Sequence, residues 1–383
     1  MRRWLILLAI GCGAMRAETV LALPFFNHAE TANLDWIGES IAETLRDAMA
    51  PEGVLVLARE DRLEAYRRLS LRPGAELTHA SILKIGDSLD ASLVIYGRYE
   101  LPSKGTLRIT ARILDVQRTR QGPEFSETGA LEDLATLEYR LGWQVLRQLH
   151  WKSVSTIEEF LKARPPVRLD AVESYVRGLL AATPEQRHSY FTRAARLDEH
   201  YSQPCFQLGK IYWEKKDYKI AAGWLERVSR PDPHYLEAQF LLGLCRYNTA
   251  NFKGAQQCFE TVAASVPLNE VYDDLGAAEA RLNQSDAALA SFHKALDGDS
   301  ADPDYHFNLG FTLWRAKQFE AAVESLRAAV ERNPSDTEAT TLLGRALKQE
   351  GPRPGDPKSE ARERLKTNYE EAAYRQLQAE LGK

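Results

Sequence analysis

The second half of the chain carries apolar residues at helical spacing, interrupted by short polar breaks. In NLGFTLWRAKQFEAAVESL (308–326), two amphipathic stretches flank a break near Lys317, and Gly310 lies inside the first stretch. Apolar positions three and four apart predict a helix on each side of the break. A glycine within a helix costs about 1 kcal/mol relative to alanine, so Gly310 needs a separate reason.

The same glycine recurs at a nearly fixed interval, each time directly after a leucine. Successive intervals are 34, 33, 34 and 34 residues for Gly209, Gly243, Gly276, Gly310 and Gly344. Twelve residues after the first four glycines there is an alanine: Ala221, Ala255, Ala288 and Ala322. Four residues later there is a large apolar side chain: Leu225, Phe259, Phe292 and Leu326. This periodicity predicts stacked helix pairs in which small residues allow close approach and large ones fill the space beside them.

With this register, residues 165 to about 350 resemble the tetratricopeptide repeat family. The family's aromatic residue in the first helix is present as Tyr212 and is replaced by other residues in later units. An irregular helical bundle would explain the amphipathic pattern but not the fixed period. The resemblance implies an all-α solenoid of about five to six units over 171–350, which binds a protein or peptide in its concave groove.

Residues 18–150 have a different pattern, in which apolar runs alternate with amphipathic helices. Residues 106–116 alternate apolar and polar side chains, which predicts a half-buried antiparallel strand. The expected fold is an α+β two-layer sandwich. Further strands are predicted at 19–27, 53–58 and 91–101, and helices at 35–49, 60–69, 78–89 and 131–149. Residues 151–170, which include KARPPVRLD, predict a linker.

Four stretches of this region resemble the N-terminal domain of TolB and related domains in CsgG-like and FlgO-like envelope proteins. They are LALPFFN, DWIGESIAETL, IGDSLDASLVIYGRY and LRITARILDV. TolB's own role is not implied, because repeats follow here in place of a β-propeller. The resemblance implies an interaction or assembly domain.

Residues 1–17 have the pattern of a bacterial secretory signal peptide. Two arginines precede an apolar run from Trp4 to Ile10, which is shorter than the roughly 20 residues needed to span a bilayer. Cleavage after Ala17 would give a soluble periplasmic or secreted protein. Lipidation at Cys12 would anchor it to a membrane as a lipoprotein, and an uncleaved anchor is a third possibility.

Composition and motifs argue against an enzyme or a nucleic-acid-binding protein. The formal net charge is -5, and the basic clusters are short and mixed with acidic residues. The eight histidines form no HExxH motif, and neither a phosphate-binding glycine loop nor a G-x-S-x-G motif is present. The sequence therefore predicts no catalytic residue, metal or cofactor.

The concave groove of such repeats is lined by the first helix of each unit. The lining positions are six and three before the glycine, and one, four and five after it. They are rich in aromatic and basic residues: Phe206, Lys210, Trp213, Phe240, Leu244, Tyr247, Asn248, Asp273, Arg281, Phe307, Phe311, Trp314, Arg315, Arg345 and Lys348. We expect the aromatics at these positions to face solvent. An exposed apolar patch of this size usually marks a binding surface.

The expected partner is another envelope protein that inserts an extended segment with apolar anchors and some acidic character. Alternatively, the C-terminal helix or the α/β domain folds back over the groove. A different function, regulation through a small ligand in the N-terminal domain, is the second candidate.

The last region, 351–383, begins with the repeat-breaking segment GPRPGDPKSE (351–360). The following residues, 360–381, are rich in charged helix-forming side chains and predict a helix that caps the array.

Overall fold

A computed structural model of the chain describes residues 19–29, 31–149, 155–230, 232–353, 362–370, 373–374 and 376–377. The predicted signal peptide, including Cys12, lies outside these ranges. Within them, no helix combines the length and apolar character needed to cross a membrane.

The N-terminal region contains a mixed β-sheet with the strand order β3-β1-β4-β5-β6, and β2 pairs with β4 beside this path. The strands are β1 (Thr19–Ala22), β2 (Phe26–Asn27), β3 (Leu55–Val56), β4 (Leu93–Ser103), β5 (Thr106–Asp115) and β6 (Arg120–Ala130). Strand β1 runs parallel to β3 and β4, whereas β4, β5 and β6 form an antiparallel meander.

Helices cover both faces of this sheet, so the prediction of a two-layer sandwich was wrong. Val20 belongs to the core formed with α1 (Trp36–Met49) and α4 (Leu134–Gln148). The next residue, Leu21, packs on the opposite face with α2 (Arg59–Arg68) and α3 (His79–Ser88). Successive side chains of a strand point to opposite faces, and the uninterrupted apolar sequence of β1 is suited to burial on both.

The edge strand β6 was not predicted because its sequence, RQGPEFSETGA, contains two glycines and a proline. Pro123 has no N–H to donate, which confines proline to edge strands and bulges. The pairing of β5 with β6 is irregular at this point: Arg112 pairs with Glu124, but Leu114 pairs with Gln121. The proline is accommodated by an irregularity at the edge of the sheet.

The segment predicted as a linker contains a short helix, α5 (Ile157–Lys162), that packs against α4. Phe160 is buried, and the Trp143 Nε1–H donates to the Ser155 carbonyl at 3.0 Å. The first repeat helix then packs against α1, and the Arg177 Nη2 donates to the Asn33 carbonyl at 2.9 Å. One apolar core continues from the sheet into the first repeats.

Between residues 169 and 347, the described part of the chain forms five helix pairs followed by a single helix. The pairs are α6 (Leu169–Leu180) with α7 (Pro184–Leu197), α8 (Ser202–Glu214) with α9 (Tyr218–Leu225), α10 (Tyr235–Asn248) with α11 (Phe252–Ser265), α12 (Asn269–Arg281) with α13 (Ser285–Gly298), and α14 (Pro303–Arg315) with α15 (Phe319–Arg332). The single helix is α16 (Thr337–Leu347). Below, the first helix of each pair is helix A and the second is helix B.

The repeat glycines lie where helix B approaches helix A most closely. A Cβ atom on Gly209, Gly243, Gly276 or Gly310 would be 2.5–2.7 Å from the nearest atom of Leu225, Phe259, Phe292 or Leu326, respectively. Gly344 differs from the prediction, because no atom of the described residues lies within 4 Å of such a Cβ. The reason is local: residues 351–353, where helix B begins in the preceding units, are not helical here and include Pro352.

The predicted C-terminal capping helix is wrong for residues 362–370, which are neither helical nor in a strand. Only 373–374 and 376–377 are helical among the described residues beyond 370. Tertiary contacts override helix propensity here, since the preceding repeats bind the main chain of 362–370 directly.

Candidate functional site

The concave groove of the repeats is occupied by residues 362–370, which we call the C-terminal segment. It contacts the A helices α10, α12 and α14, and it also reaches residues at the start of α16. The floor of the groove contacts the main chain of the segment. The two rims of the groove contact its charged side chains.

Two side chains on the floor form hydrogen bonds with the main chain of the segment. Asn308 Nδ2 donates to the Arg364 carbonyl at 2.8 Å, and Asn308 Oδ1 accepts from the Arg364 N–H at 2.8 Å. Asp274 Oδ1 accepts from the Lys366 N–H at 2.8 Å. Asn308 is itself held by Asp273, whose two carboxylate oxygens accept from Nδ2 at 3.0 and 2.9 Å. These contacts bind main-chain groups two residues apart, as in an extended strand.

A basic rim lies on one side of the floor and surrounds Glu363. Its carboxylate accepts from Arg281 Nη2 at 2.5 Å, from Arg315 Nη1 at 3.1 Å and from the Tyr247 hydroxyl at 2.9 Å. The Glu363 side chain has no exposed surface. A buried carboxylate is stable only with such compensation, so the two guanidinium groups and the hydroxyl are matched to an acid at this position.

An acidic rim lies on the other side and receives Arg364 and Lys366. The Arg364 guanidinium pairs with both oxygens of Asp336 at 2.5 and 3.0 Å, and it lies 3.6 Å from the Phe307 ring centroid. The Lys366 ammonium lies 2.7 Å from Asp302 and 2.9 Å from Asp304. The four carboxylates of this rim are Asp302, Asp304, Asp336 and Glu338.

Burial changes the charge of the floor relative to the rim. It raises the pKa values of Asp273 and Asp274 well above those of ordinary aspartates, and for Asp274 the neighbouring Asp273 charge adds to the effect. Burial also acts on Asp336, but the hydrogen bonds and charge of Arg364, together with hydrogen bonds from two main-chain N–H groups, outweigh it and lower the pKa of that carboxyl. Asp273 and Asp274 therefore keep their protons to higher pH than Asp336 does.

A model of the tetratricopeptide repeat family matches residues 274–337 and 312–351. The helical repeats within these residues are tetratricopeptide repeats. Similar solved structures include YrrB, described as a tetratricopeptide repeat protein with an unusual peptide-binding site, at 22% identity and a TM-score of 0.43, covering 47% of this chain and 92% of that one. MamA from Desulfovibrio magneticus RS-1 gives 26% identity, a TM-score of 0.38 and coverage of 42% and 92%. No curated protein matches the chain.

The aromatics predicted to face solvent are mostly buried in the tetratricopeptide groove, which corrects that expectation. The side chains with 1% exposure or less are Phe206, Phe240, Phe307, Phe311 and Trp314, and Leu244 is buried as well. The cover comes from three sources. Tyr369 packs edge-on against Phe240, Glu350 accepts from the Trp314 indole, and His234 stacks on Phe206.

The other predicted groove residues form two groups. Arg281, Arg315 and Tyr247 contact the segment, and Arg345 donates to the Gly351 carbonyl at 2.8 Å while lying over Trp314. The second group lies outside these contacts: Lys210 pairs with Glu237, Trp213 packs on Tyr218, and Asn248 and Lys348 are exposed.

Several residues that hold the segment were missed, although the repeat register contains a signal for them. Asn308 and Asp274 lie two residues before their glycines, where Leu241 and Leu342 occupy the same position in other units. A polar residue at an otherwise apolar helix position is a candidate for a buried hydrogen bond. The position six before the glycine is acidic in four units, Glu237, Glu270, Asp304 and Glu338, and the last two of these belong to the acidic rim.

A separate cavity of about 390 Å³ lies between the sheet region and the repeats. It is lined by charged side chains that include Arg46, Asp47, Arg59, Lys210 and His234. Across the part of the chain that the structure describes, no group of three or more His, Cys, Asp or Glu residues could hold a metal ion.

Proposed function

We propose that this protein is a non-enzymatic scaffold of the cell envelope that binds an extended segment of a protein partner in its tetratricopeptide groove. The observation that carries the proposal is the binding of main-chain groups by Asn308 and Asp274. Every polypeptide has main-chain N–H and C=O groups at this spacing. The floor can therefore bind the main chain of an extended segment from another protein in the way it binds residues 364 and 366. The charged rims then supply selectivity.

The location in the envelope rests on the sequence. Residues 1–17 have the charge and hydropathy pattern of an export signal, and residues 18–150 resemble the N-terminal domain of TolB. Intact-mass measurement of the protein made in a bacterial host tests export. Loss of residues 1–17 supports a soluble periplasmic product, an acylated N-terminal Cys12 supports a lipoprotein, and an uncleaved cytoplasmic chain contradicts both.

Site-specific photocrosslinking in the host tests the groove as the partner site. A photoreactive amino acid at the exposed Asn248, next to the groove residue Tyr247 in α10, should crosslink a partner protein. The same amino acid at the exposed Arg327 of helix B, on the outer side, is the matched control. Crosslinks that are equal at both positions, or stronger at Arg327, would show that the partner binds elsewhere.

A second candidate function, regulation by a small ligand, has one observation in its favour, namely the charged cavity beside α1. A ligand that binds only the folded protein raises the melting temperature through RT ln(1 + [L]/Kd). Thermal shift against a library of anionic and cationic metabolites tests this role. Uniformly unchanged melting temperatures would reject it.

A further inference from the structure

The C-terminal segment shows how the groove distinguishes one extended sequence from another. We propose that the groove selects segments in which an acidic residue is followed directly by arginine and, two positions after the arginine, by lysine. We further propose that Glu363-Arg364-Leu365-Lys366 is the resident copy of this pattern, which an outside partner must displace. This inference rests on the proposed scaffold function and adds the partner's chemistry and its competition with the chain itself.

The alternation of an extended chain explains the order of charges. Neighbouring side chains of such a chain point to opposite sides, and side chains two apart point to the same side. Accordingly, Glu363 points to the basic rim, whereas Arg364 and Lys366 both point to the acidic rim. The main-chain contacts at 364 and 366 fix this register. A segment with the acidic and arginine positions exchanged would place like charges together on both rims.

The acidic position is the most demanding of the three. Arg281 and Arg315 converge on one fully buried carboxylate, together with the Tyr247 hydroxyl. A neutral residue at this position would leave two guanidinium groups facing each other without an anion, and a basic one would add a third positive charge.

The arginine position favours arginine over lysine. Asp336 receives the guanidinium through both of its oxygens, and the flat group stacks on Phe307. The ammonium group of lysine cannot make this planar bidentate contact or stack on an aromatic ring. The lysine position is different, because Asp302 and Asp304 converge on a single point charge.

Tethering makes the resident segment a strong competitor. A ligand joined covalently to its site through a short stretch of chain has an effective concentration on the order of 1 mM. For an outside peptide with a Kd of about 10 µM for the empty groove, this competition weakens apparent binding by about 100-fold. Release of the segment should therefore increase the apparent affinity of the groove for an outside peptide by a large factor.

The test measures fluorescence anisotropy of a dye-labelled peptide with the sequence of residues 361–370, ARERLKTNYE. Full-length Glu363→Arg should release the resident segment, since it places a third positive charge between Arg281 and Arg315. We expect this variant to bind the peptide at least 10-fold more tightly than the wild-type chain. The matched control is Glu331→Arg, which makes the same charge change at an exposed position of α15 and should leave the wild-type affinity unchanged.

A second peptide, with the glutamate and the following arginine exchanged, tests the order of charges. It should bind Glu363→Arg at least 10-fold more weakly than ARERLKTNYE does. Circular dichroism checks folding, and Arg364→Glu, which loses the contacts with the acidic rim, serves as an independent releasing variant if Glu363→Arg is misfolded.

Equal peptide affinity in wild-type and both releasing variants would overturn the competition, and equal affinity for the two peptides would overturn the charge pattern. These failures differ from failure of the scaffold role. Groove-side crosslinks to a partner without peptide binding would reject the pattern alone. Peptide binding without any groove-side crosslink would reject the scaffold role alone.

Discussion

The ring of Phe259 occupies the space that a side chain on Gly243 would need. A Cβ atom on Gly243 would lie 2.6 Å from Phe259 Cε1, closer than non-bonded carbon atoms approach in proteins. The glycine that is unfavourable for helix α10 in isolation therefore permits helix B to approach helix A. The same relation links Gly276 to Phe292, with a distance of 2.7 Å.

Replacement of this glycine should destabilise the repeats. Gly243→Ala gains helix propensity but forces a methyl group against the Phe259 ring, and such overpacking costs about 1–3 kcal/mol. Thermal unfolding followed by circular dichroism should show a lower melting temperature. The matched control is Gly344→Ala, which meets no described atom within 4 Å and should stabilise α16 by up to about 1 kcal/mol. Equal effects of the two substitutions would contradict the packing role.

The turns between helices A and B offer a stabilising change. Ala250 has φ of 61°, a left-handed conformation that costs a residue with a Cβ roughly 1–2 kcal/mol. Ala250→Gly relieves this cost but increases the conformational entropy of the unfolded chain. We therefore expect the free energy of unfolding to rise by about 0.5–1 kcal/mol. Ala264→Gly, at an exposed position of α11, should instead lose about 0.5–1 kcal/mol. A lower melting temperature for Ala250→Gly would show that the turn is not strained.

Trp314 should contribute to stability and not only to binding. Its ring is fully buried, its Nε1–H donates to the Glu350 carbonyl at 2.7 Å, and Arg345 lies over it. Trp314→Ala should therefore cost about 3–5 kcal/mol in chemical denaturation. Trp213→Ala, where the ring is only partly buried, should cost clearly less. An unchanged denaturation curve for Trp314→Ala would place the ring in solvent, as the sequence alone had indicated.

The buried carboxyl of Glu138, which lies between α1 and α4, should make the free energy of unfolding depend on pH. Burial raises the pKa of this carboxyl to about 8, while the Thr44 hydroxyl donates to it at 2.8 Å. Between the unfolded value near 4.3 and this folded value, the folded chain binds more protons, so stability falls as pH rises through that window. Glu138→Gln removes the titration. We expect little change in melting temperature at pH 5 and a higher melting temperature than wild type at pH 8. A wild-type pH profile in the variant would exclude Glu138 as the cause.

The repeat register was readable from the sequence because a single constraint recurs in each unit. Each close approach needs a residue without a side chain on helix A and a large residue on helix B, as with Gly310 and Leu326. The strands β1, β4 and β5 were also predictable from runs and alternation of apolar residues. Strand β6 was not predictable, because Gly122 and Pro123 interrupt the alternation of apolar and polar residues. The strand is formed through its pairing with β5.

The contents of the groove could not be predicted in the same way. Residues 362–370 have a helix-forming composition, and their extended form depends on Asn308 and Asp274, which lie 50 to 100 positions earlier in the chain. Local propensity contains no information about such distant hydrogen bonds. Part of the acidic rim was nevertheless predictable from the register, since Asp304 and Glu338 share one position, whereas Asp302 and Asp336 lie just before their helices.

The C-terminal segment also has a mechanical consequence. The apolar interior of the repeats is divided into two clusters, one ending at Ala278 and the other beginning at Ala280. The segment links the two clusters, since Tyr369 packs on Phe240 in the first cluster and Arg364 packs on Phe307 in the second. While the segment is bound, we expect it to restrain the two clusters relative to each other. A partner that displaces the segment should remove this restraint, so we expect faster amide hydrogen exchange at the junction of the two clusters in the partner-bound chain.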